Sequence, residues 1–363
     1  MTVARIIAFL LPNLGGGGAE RVALTLAKAF VERGHFVDLV VMERNGELIG
    51  AVPPGVRIVD LHVKRMRNIL PPLIRYLRKR RPDALQISMW PLTIMGIIGA
   101  RASRVRTRVV VSDHATYSSS SLYSRQLKQL SWSARLIYPL ADRRVTVSET
   151  GASDLAELTG IPRSRFEVIY NPIDVPGQIA ATDQAERAWR RPGRRILTIG
   201  TLKSEKNHSL LLRAFARMQD RDAQLLILGE GPLRADLERF AAELGIADRV
   251  AMPGFALDPW PYLASAELFV LSSDSEGFPV ALAEAMHAGL RIVSTDCVSG
   301  PSEMLDDGRF GKLVPVGDER ALAEAMEEAL RLPHSPDLVR GRAESASGAG
   351  VVDQYLDVLI GSQ

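Results

Sequence analysis

Short runs of Val, Ile and Leu without polar alternation recur along the chain, and most are followed by a stretch with helical spacing. In the first half these runs are Arg5–Leu11, Phe36–Val41, Val56–Asp60, Ala84–Ser88, Val109–Ser112 and Arg144–Val147. In the second they are Arg195–Ile199, Gln224–Leu228, Val250–Met252, Leu268–Leu271 and Arg291–Ser294. Uninterrupted apolar runs of this length predict strands buried on both faces, as in a parallel sheet. The intervening segments, Ala19–Arg33 and Arg234–Leu244 among them, predict amphipathic helices. Strand and helix in alternation make an α/β chain with doubly wound layers. A polar break rich in Pro, Gly and charge covers residues 175–194 and reads as a linker. The expected organisation is a Rossmann-like domain over residues 1–174, the linker, and a second over 195–349, the two facing each other across a cleft. The last helix, Val351–Ile360 within residues 350–363, is expected to cross back to the first domain. Ligands of such sheets bind beyond the carboxyl ends of the strands, so the loops after strands are where chemistry belongs.

Length and composition agree with this organisation. The 363 residues suit two domains, and 46% hydrophobic with 24% charged residues is an ordinary globular balance. No apolar run reaches the roughly 18 to 20 residues that cross a bilayer. The apolar N-terminus lacks a small-residue cleavage site and leads into a strand-to-helix turn at Pro12-Asn13-Leu14-Gly15. Cys297 is the single cysteine. It excludes an internal disulfide, fits a reducing cytoplasm and reads as a small buried filler. Charge is uneven: residues 1–174 carry 25 Lys+Arg against 14 Asp+Glu, and the remainder 20 against 28. The first half therefore suits an anionic partner, either a membrane surface or a phosphorylated substrate.

The loop Ser272-Ser273-Asp274-Ser275-Glu276-Gly277-Phe278-Pro279 follows the run Leu268–Leu271 directly. Pro279 suits the first position of a helix over Val280–Ala288 that Gly289 stops. The unpaired N–H groups of that first turn, with the helix dipole, favour an anion or sugar hydroxyls. Glu276 lies before the helix and Glu284 more than a turn inside it, so each is placed to hold a different part of one extended ligand. Carboxylates accept hydrogen bonds in pairs, which suits vicinal hydroxyls. On these residues alone, an ordinary helix-terminal acid plus a solvated glutamate fits equally well.

The run Asp274-Ser-Glu-Gly-Phe-Pro-Val-Ala-Leu-Ala-Glu-Ala-Met-His-Ala-Gly289, with its Glu276-x7-Glu284 spacing, resembles the signature of family 4 glycosyltransferases of the GT-B fold. Gly200-Thr201-Leu202-Lys203-Ser204-Glu205-Lys206-Asn207 is similar to the family's donor-phosphate loop. Leu228-Gly229-Glu230-Gly231-Pro232, Pro253-Gly254-Phe255 and Ser299-Gly300-Pro301-Ser302-Glu303 resemble later donor-domain elements. Gly15–Gly18 with Ala19-Glu20-Arg21, Asp113-His114, Val147-Ser148-Glu149 and Tyr170–Asp174 fit in the first half, so the resemblance covers nearly the whole chain in order.

The resemblance implies a retaining transferase that moves a hexosyl or N-acetylhexosaminyl group from a UDP- or GDP-linked sugar, without a bound cofactor or metal. It implies that Lys206 neutralises the leaving diphosphate, that Glu284 holds the ribose and that Glu276 holds the transferred sugar without acting as a nucleophile. Gly277, Phe278, Pro279 and Val280 would line the sugar and phosphate site, with Pro279 giving no N–H. Glu230 and Gly231 would border the nucleobase. The family's arginine after Gly200 is replaced by Thr201; either Lys203 compensates or phosphate is held more weakly. Gly16 and Gly17 belong to a glycine run that lets backbone approach the diphosphate or gate the acceptor, with positive φ available. The run lacks the third glycine of the dinucleotide fingerprint. His114 matches the family histidine near the reacting sugar, giving catalytic candidates His114, Glu276 and Lys206.

Asp220-Arg221-Asp222 is the one Asp-x-Asp, and it precedes a strand, the wrong end for a metal site. Basic residues interleave with apolar ones over Tyr117–Tyr138: Arg125, Lys128 and Arg135 among Leu122, Tyr123, Leu127, Leu130, Trp132 and Leu136. That composition suits either a packed helix with a solvated face or an element lying on anionic lipid. Many relatives in the resembled family use lipid-linked acceptors, and Ser299–Glu303 resembles enzymes that extend polyprenyl-diphosphate-linked glycans. The expected partners are thus a nucleotide-sugar donor and a glycan or polyprenyl-diphosphate-linked acceptor, at the cytoplasmic face of the membrane. No nucleic-acid module is recognisable. A GT-B epimerase or phosphorylase, and a catalytically silent nucleotide-sugar-binding protein, are the rival readings.

Overall fold

The computed structural model describes residues 3–119, 124–348 and 350–361. It divides into two compact units, Met1–Pro172 with Gly348–Gln363, and Ile173–Ser347. The first runs β1 (Ile6–Leu11), α1 (Gly18–Glu32), β2 (Phe36–Val41), β3 (Val56–Asp60), α2 (Leu70–Arg80), β4 (Ala84–Ser88) and α3 (Leu92–Ser103). It continues through β5 (Arg108–Asp113), α4 (Leu127–Ile137), β6 (Arg143–Thr146), α5 (Glu149–Thr159) and β7 (Glu167–Val168). All pairings are parallel, in the order β3-β2-β1-β4-β5-β6-β7.

The second unit runs α6 (Asp183–Ala188), β8 (Arg195–Ile199), α7 (His208–Arg217), β9 (Gln224–Leu228), α8 (Arg234–Glu243), β10 (Val250–Gly254) and α9 (Trp260–Ala264). Then follow β11 (Leu268–Leu271), α10 (Val280–Ala288), β12 (Arg291–Thr295), α11 (Pro301–Leu305), β13 (Lys312–Val314), α12 (Glu319–Arg331) and α13 (Pro336–Ser347). Its sheet is also parallel, in the order β10-β9-β8-β11-β12-β13. The last helix, α14 (Gly350–Ile360), packs on β4 and β5 of the first sheet, with Tyr355 fully buried.

The predicted strands lie within two residues of the observed ones. The apolar runs are what makes them strands: every residue of β4, β9 and β11 is buried. Each fully buried Leu, Ile or Val contributes roughly 1.5–3 kcal/mol. Two strands have no apolar run to announce them, the two-residue β7 and the three-residue β13 at sheet edges. The expected linker is partly built into the second unit. Thr182 caps α6 through its hydroxyl, and the buried Trp189 donates from Nε1 to Ser265 Oγ at 3.0 Å. A tryptophan in a charged stretch buries too much apolar surface to stay in solvent.

A carboxylate lies inside the first core. Asp38 on β2 is fully buried and accepts from Arg57 Nη2 at 2.6 Å, Tyr76 Oη at 2.8 Å and Arg80 Nε at 3.0 Å. A buried carboxylate survives there because these donors satisfy it, and they tie β2, β3 and α2 together.

In the second unit the strand order reverses between β8 and β11, which pair through Leu268–Ile196 and Phe269–Leu197. Right-handed crossovers from a reversal point send successive helices to opposite faces. Accordingly α7 packs with both α8 and α12, and α10 packs with α9 and α13. The loops after β8 and β11 are left side by side at the sheet's carboxyl edge. Glycines then set how closely backbone can approach: a Cβ at Gly229 would lie 2.1 Å from Gly200 O, and one at Gly231 within 2.5 Å of Leu202 O. Gly229→Ala is therefore expected to destabilise the protein by about 2 kcal/mol, read as a lower midpoint in denaturant unfolding. An unchanged midpoint would contradict the close approach.

Candidate active site

The loops after β8 and β11 are joined by side chains. Lys206 Nζ lies 2.6 Å from Glu276 Oε1, which also accepts from Ser273 Oγ at 2.6 Å. The Glu276 side chain is 8% exposed and that of Lys206 22%, so the pair is sheltered yet reachable. Around it, Ser272 Oγ donates to Lys206 O at 2.9 Å and Asp274 N to Glu205 O at 2.9 Å. Asn207, at φ 44°, caps α7 through Oδ1 and donates from Nδ2 to Asp274 Oδ1 at 2.7 Å. The contacts between the two loops span 66 to 70 residues of sequence. They exist because β8 and β11 are sheet neighbours at the point where strand order reverses, the ligand-binding position of such sheets.

A third loop, after β12, braces the second. Thr295 Oγ1 donates to Ser273 O at 2.6 Å and Ser299 Oγ to Gly277 O at 2.9 Å. Gly300, at φ 93°, leaves room for the Pro279 ring, since a Cβ there would be 2.5 Å from Pro279 Cδ. Pro279 is the residue before α10 rather than its first helical position. Its ψ of 88° is non-helical, and its carbonyl accepts from the Leu282 and Ala283 amides. The amides of Val280 and Ala281, with no intrahelical acceptor, are the donors at this end. Phe278 is 6% exposed, so its ring is core and only its backbone serves the loop. Glu284 lies on α10, buried at 8% exposure, not solvated.

Other expected residues have other partners. Lys203 Nζ pairs with Glu205 Oε1 at 2.6 Å, so the cation expected to compensate for Thr201 has an internal partner. Thr201 itself is half-buried beside Gly200, over which the Lys206 stem passes. The Glu230 carboxylate is turned to Arg234 on α8, while its backbone oxygen accepts from Leu202 N at 2.9 Å. Burial dominates the nearby titrating groups. It pushes the Cys297 thiol up to about 12, with the Glu276 charge adding to it, and lowers His208 to about 4, with the Lys206 charge adding to that. Cys297 is 2% exposed, and as a neutral thiol it is packing rather than chemistry.

In the first unit, His114 follows β5 with Nε2 3.1 Å from Ser112 Oγ. Burial lowers its pKa to about 4, so it is neutral at neutral pH, and its Nδ1 is enclosed without a hydrogen-bond partner among the described residues. Asp113 beside it accepts from Tyr117 Oη at 2.5 Å and Tyr138 Oη at 3.0 Å. Burial raises that carboxyl to about 6 against these two hydrogen bonds. Gly16 and Gly17 lie between β1 and α1, but neither has positive φ. Gly17 sits at φ −77° as the cap residue of α1. A Cβ at position 17 would meet only the carboxylate end of Glu20, 2.5 Å from Oε2, so the Glu20 side chain would have to shift to admit another residue.

Sequence reasoning missed Ser273, Thr295 and Ser299, which support the loops through tertiary contacts and carry no local signal. Asn207 was detectable as a helix N-cap. The Asp220-x-Asp222 pair forms a tight turn in which Asp222 N donates to Asp220 Oδ1 at 3.0 Å. Among the described residues, no three His, Cys, Asp or Glu gather as a metal site.

Comparison with known proteins agrees with this architecture. Residues 16–175 match the model of Glycosyltransferase Family 4, and residues 193–331 that of Glycosyl transferases group 1. The chain is 30% identical over 339 residues, 89% of its length and 90% of the relative's, to a transferase of Campylobacter jejuni. That relative is the N-acetylgalactosamine-N,N'-diacetylbacillosaminyl-diphospho-undecaprenol 4-alpha-N-acetylgalactosaminyltransferase. This chain is also 26% identical to the amylovoran biosynthesis glycosyltransferase AmsD of Erwinia amylovora, over 80% of this chain and 81% of that one. Among solved structures, Anabaena Alr3699/HepE in complex with UDP and glucose superposes with a TM-score of 0.84 at 18% identity, covering 99% of this chain and 100% of that one. The apo lipopolysaccharide outer core galactosyltransferase WaaB gives 0.72 at 20% identity, over 97% and 98%. The chain belongs to the family 4 glycosyltransferases and has their GT-B fold.

Proposed function

We propose that the protein transfers a hexosyl or N-acetylhexosaminyl group, with retention, from a nucleoside-diphosphate sugar to a glycan or polyprenyl-diphosphate-linked acceptor. The observation that carries this reading is the Lys206–Glu276 pair at the reversal point of the second sheet. It sets a cation suited to a diphosphate beside a carboxylate suited to sugar hydroxyls. A donor entering this site takes over both groups. Its phosphate oxygens replace Glu276 as the partner of Lys206, and its sugar hydroxyls donate to the released carboxylate.

Charge builds on the diphosphate as the glycosidic bond breaks, and a fixed cation stabilises that state more than the ground state. The Val280 and Ala281 amides at the start of α10 add donors. With Thr201 in place of arginine and Lys203 paired to Glu205, Lys206 carries most of this charge stabilisation. Glu284 is assigned to the ribose, with the Glu230–Gly231 segment beside the base. Gly16 and Gly17 are assigned to close backbone approach by substrate. His114 serves as a neutral hydrogen-bond partner of substrate hydroxyls. Glu276 is a holder of the sugar, not a nucleophile. The acceptor oxygen attacks from the face the diphosphate leaves, its proton passing to a departing phosphate oxygen, which fits a transfer driven by positioning and electrostatics. The diphospho-undecaprenol saccharide in the name of the Campylobacter jejuni relative supports the lipid-linked acceptor.

Nucleotide release measured across UDP-, GDP- and ADP-sugars, with candidate lipid-linked acceptors, tests this reading. Lys206→Ala and Glu276→Ala are each expected to lower turnover by on the order of 100-fold, and EDTA to leave the wild-type rate unchanged. Release that is equal in wild type and variants would overturn the site, and no turnover with any pair would favour a silent binder. A second expectation concerns pH. Burial lowers the pKa of His114 to about 4, below the ordinary imidazole value of 6.5. It stays neutral as pH falls through 6.5 and charges only near 4. His114→Asn should therefore leave the shape of the rate profile between pH 8 and 5 unchanged. A wild-type fall centred near pH 6.5 that disappears in this variant would contradict the assignment.

A further inference from the structure

At the end of β5 successive side chains go to opposite faces of the first sheet, as in any strand. Asp113 turns to the face covered by α2, α3, α4 and α5, where Tyr117 and Tyr138 donate to it. Tyr117, Leu130 and Tyr138, read in the sequence as part of a basic and apolar element, belong to that core, while Leu122 and Tyr123 lie outside the described residues. Ser112 and, just past the strand, His114 turn to the other face, where α14 packs on β4 and β5. The carboxylate next to His114 in sequence is thus not its partner. The Ser112 hydroxyl is, with Oγ 3.1 Å from Nε2.

The C-terminal helix completes a chain of hydroxyls behind this histidine. Tyr355 of α14 is fully buried, and its Oη donates to Ile169 O at 3.4 Å. Burial raises the phenol above its ordinary value, and a hydrogen bond with the Ser112 side chain works against that rise. Each hydroxyl has one proton to give, and a carbonyl oxygen only accepts. With the Tyr355 proton on Ile169 O, the phenol oxygen takes the Ser112 proton. Ser112 Oγ then accepts from His114, which requires the imidazole proton to sit on Nε2. The other ring nitrogen favours the same state. Nδ1 is enclosed with no partner among the described residues, and a buried N–H without an acceptor is rarer in folded proteins than a bare acceptor.

We propose that Ser112 and Tyr355 are positioning residues that hold His114 in its Nε2–H form, with a lone pair on Nδ1. A substrate hydroxyl that meets Nδ1 must then donate to it, because that atom has no proton to offer. The C-terminal helix thereby sets, from behind the sheet, the direction in which a hydrogen bond to His114 runs. This consequence for substrate rests on the reading that places His114 beside substrate hydroxyls, whereas the position of the proton does not.

Nitrogen NMR of the full chain, labelled at histidine and held at neutral pH, reads the proton directly, because protonated and bare ring nitrogens resonate far apart. The signals of His114 are those that His114→Asn removes. The wild type is expected to show a bare Nδ1 and a protonated Nε2 whose proton exchanges slowly with solvent. Ser112→Ala and Tyr355→Phe should each speed that exchange about tenfold. Tyr355→Phe should also populate the Nδ1–H form, as the freed Ser112 proton turns to Nε2. Ser112→Thr, which keeps a hydroxyl, should retain the wild-type signals. A wild-type proton on Nδ1 would overturn the proposal whether or not the variants fold. So would an exchange rate that Tyr355→Phe, folded by its thermal melting, leaves unchanged. No nucleotide sugar enters this measurement, so failure of the transfer reading leaves its result standing, and a contrary tautomer leaves the roles of Lys206 and Glu276 intact.

Discussion

The pairing of β8 with β11 is the constraint on which the rest of the second unit's functional edge depends. Because these two strands are neighbours, the loop carrying Lys206 and the loop carrying Glu276 meet although 70 residues separate them. Their ion pair contributes little net stability, since removing two charges from water offsets much of their attraction. Its effect is positional. Ser273, Ser272, Asn207 and Thr295 each spend a hydrogen bond on holding one of the two loops, and Gly229, Gly231 and Gly300 let backbone segments close to distances that a Cβ would forbid. The outcome is a carboxylate and an ammonium held ready with each other as partners, each available to a ligand that offers a better one.

Burial then decides which groups around the pair carry charge. His208 and Cys297 are both pushed by their surroundings toward the neutral form, and Lys203 is matched by Glu205. Lys206 is left as the cation whose partner a substrate would replace. Under the proposed reading, this is the group that would hold phosphate in a chain with Thr201 where its family commonly has arginine. The first unit applies the same rule differently. Asp38 is accommodated inside the core because three donors converge on it, whereas His114 sheds its charge because burial opposes protonation.

Much of the fold was legible in the sequence because parallel strands are buried on both faces and leave uninterrupted apolar runs. The edge strands β7 and β13 were not, since two or three residues make no run. Charge composition hid the burial of Trp189 in the expected linker. At the candidate site, the loop glycines and the Glu276-x7-Glu284 spacing were readable, but what they touch was not. The Lys206–Glu276 contact, the diversion of Lys203 to Glu205 and the brace from Ser299 to Gly277 are tertiary facts. The glycine at position 17 was expected for its conformational freedom, but it has no positive φ and its nearest neighbour is the carboxylate of Glu20.

The most direct test of the central claim is a crystal structure of the chain with a nucleoside-diphosphate sugar bound. The account predicts that Lys206 Nζ leaves Glu276 for a diphosphate oxygen, that Glu276 accepts from hydroxyls of the transferred sugar and that Glu284 accepts from the ribose. A donor bound elsewhere, with the Lys206–Glu276 pair still closed at 2.6 Å, would contradict it.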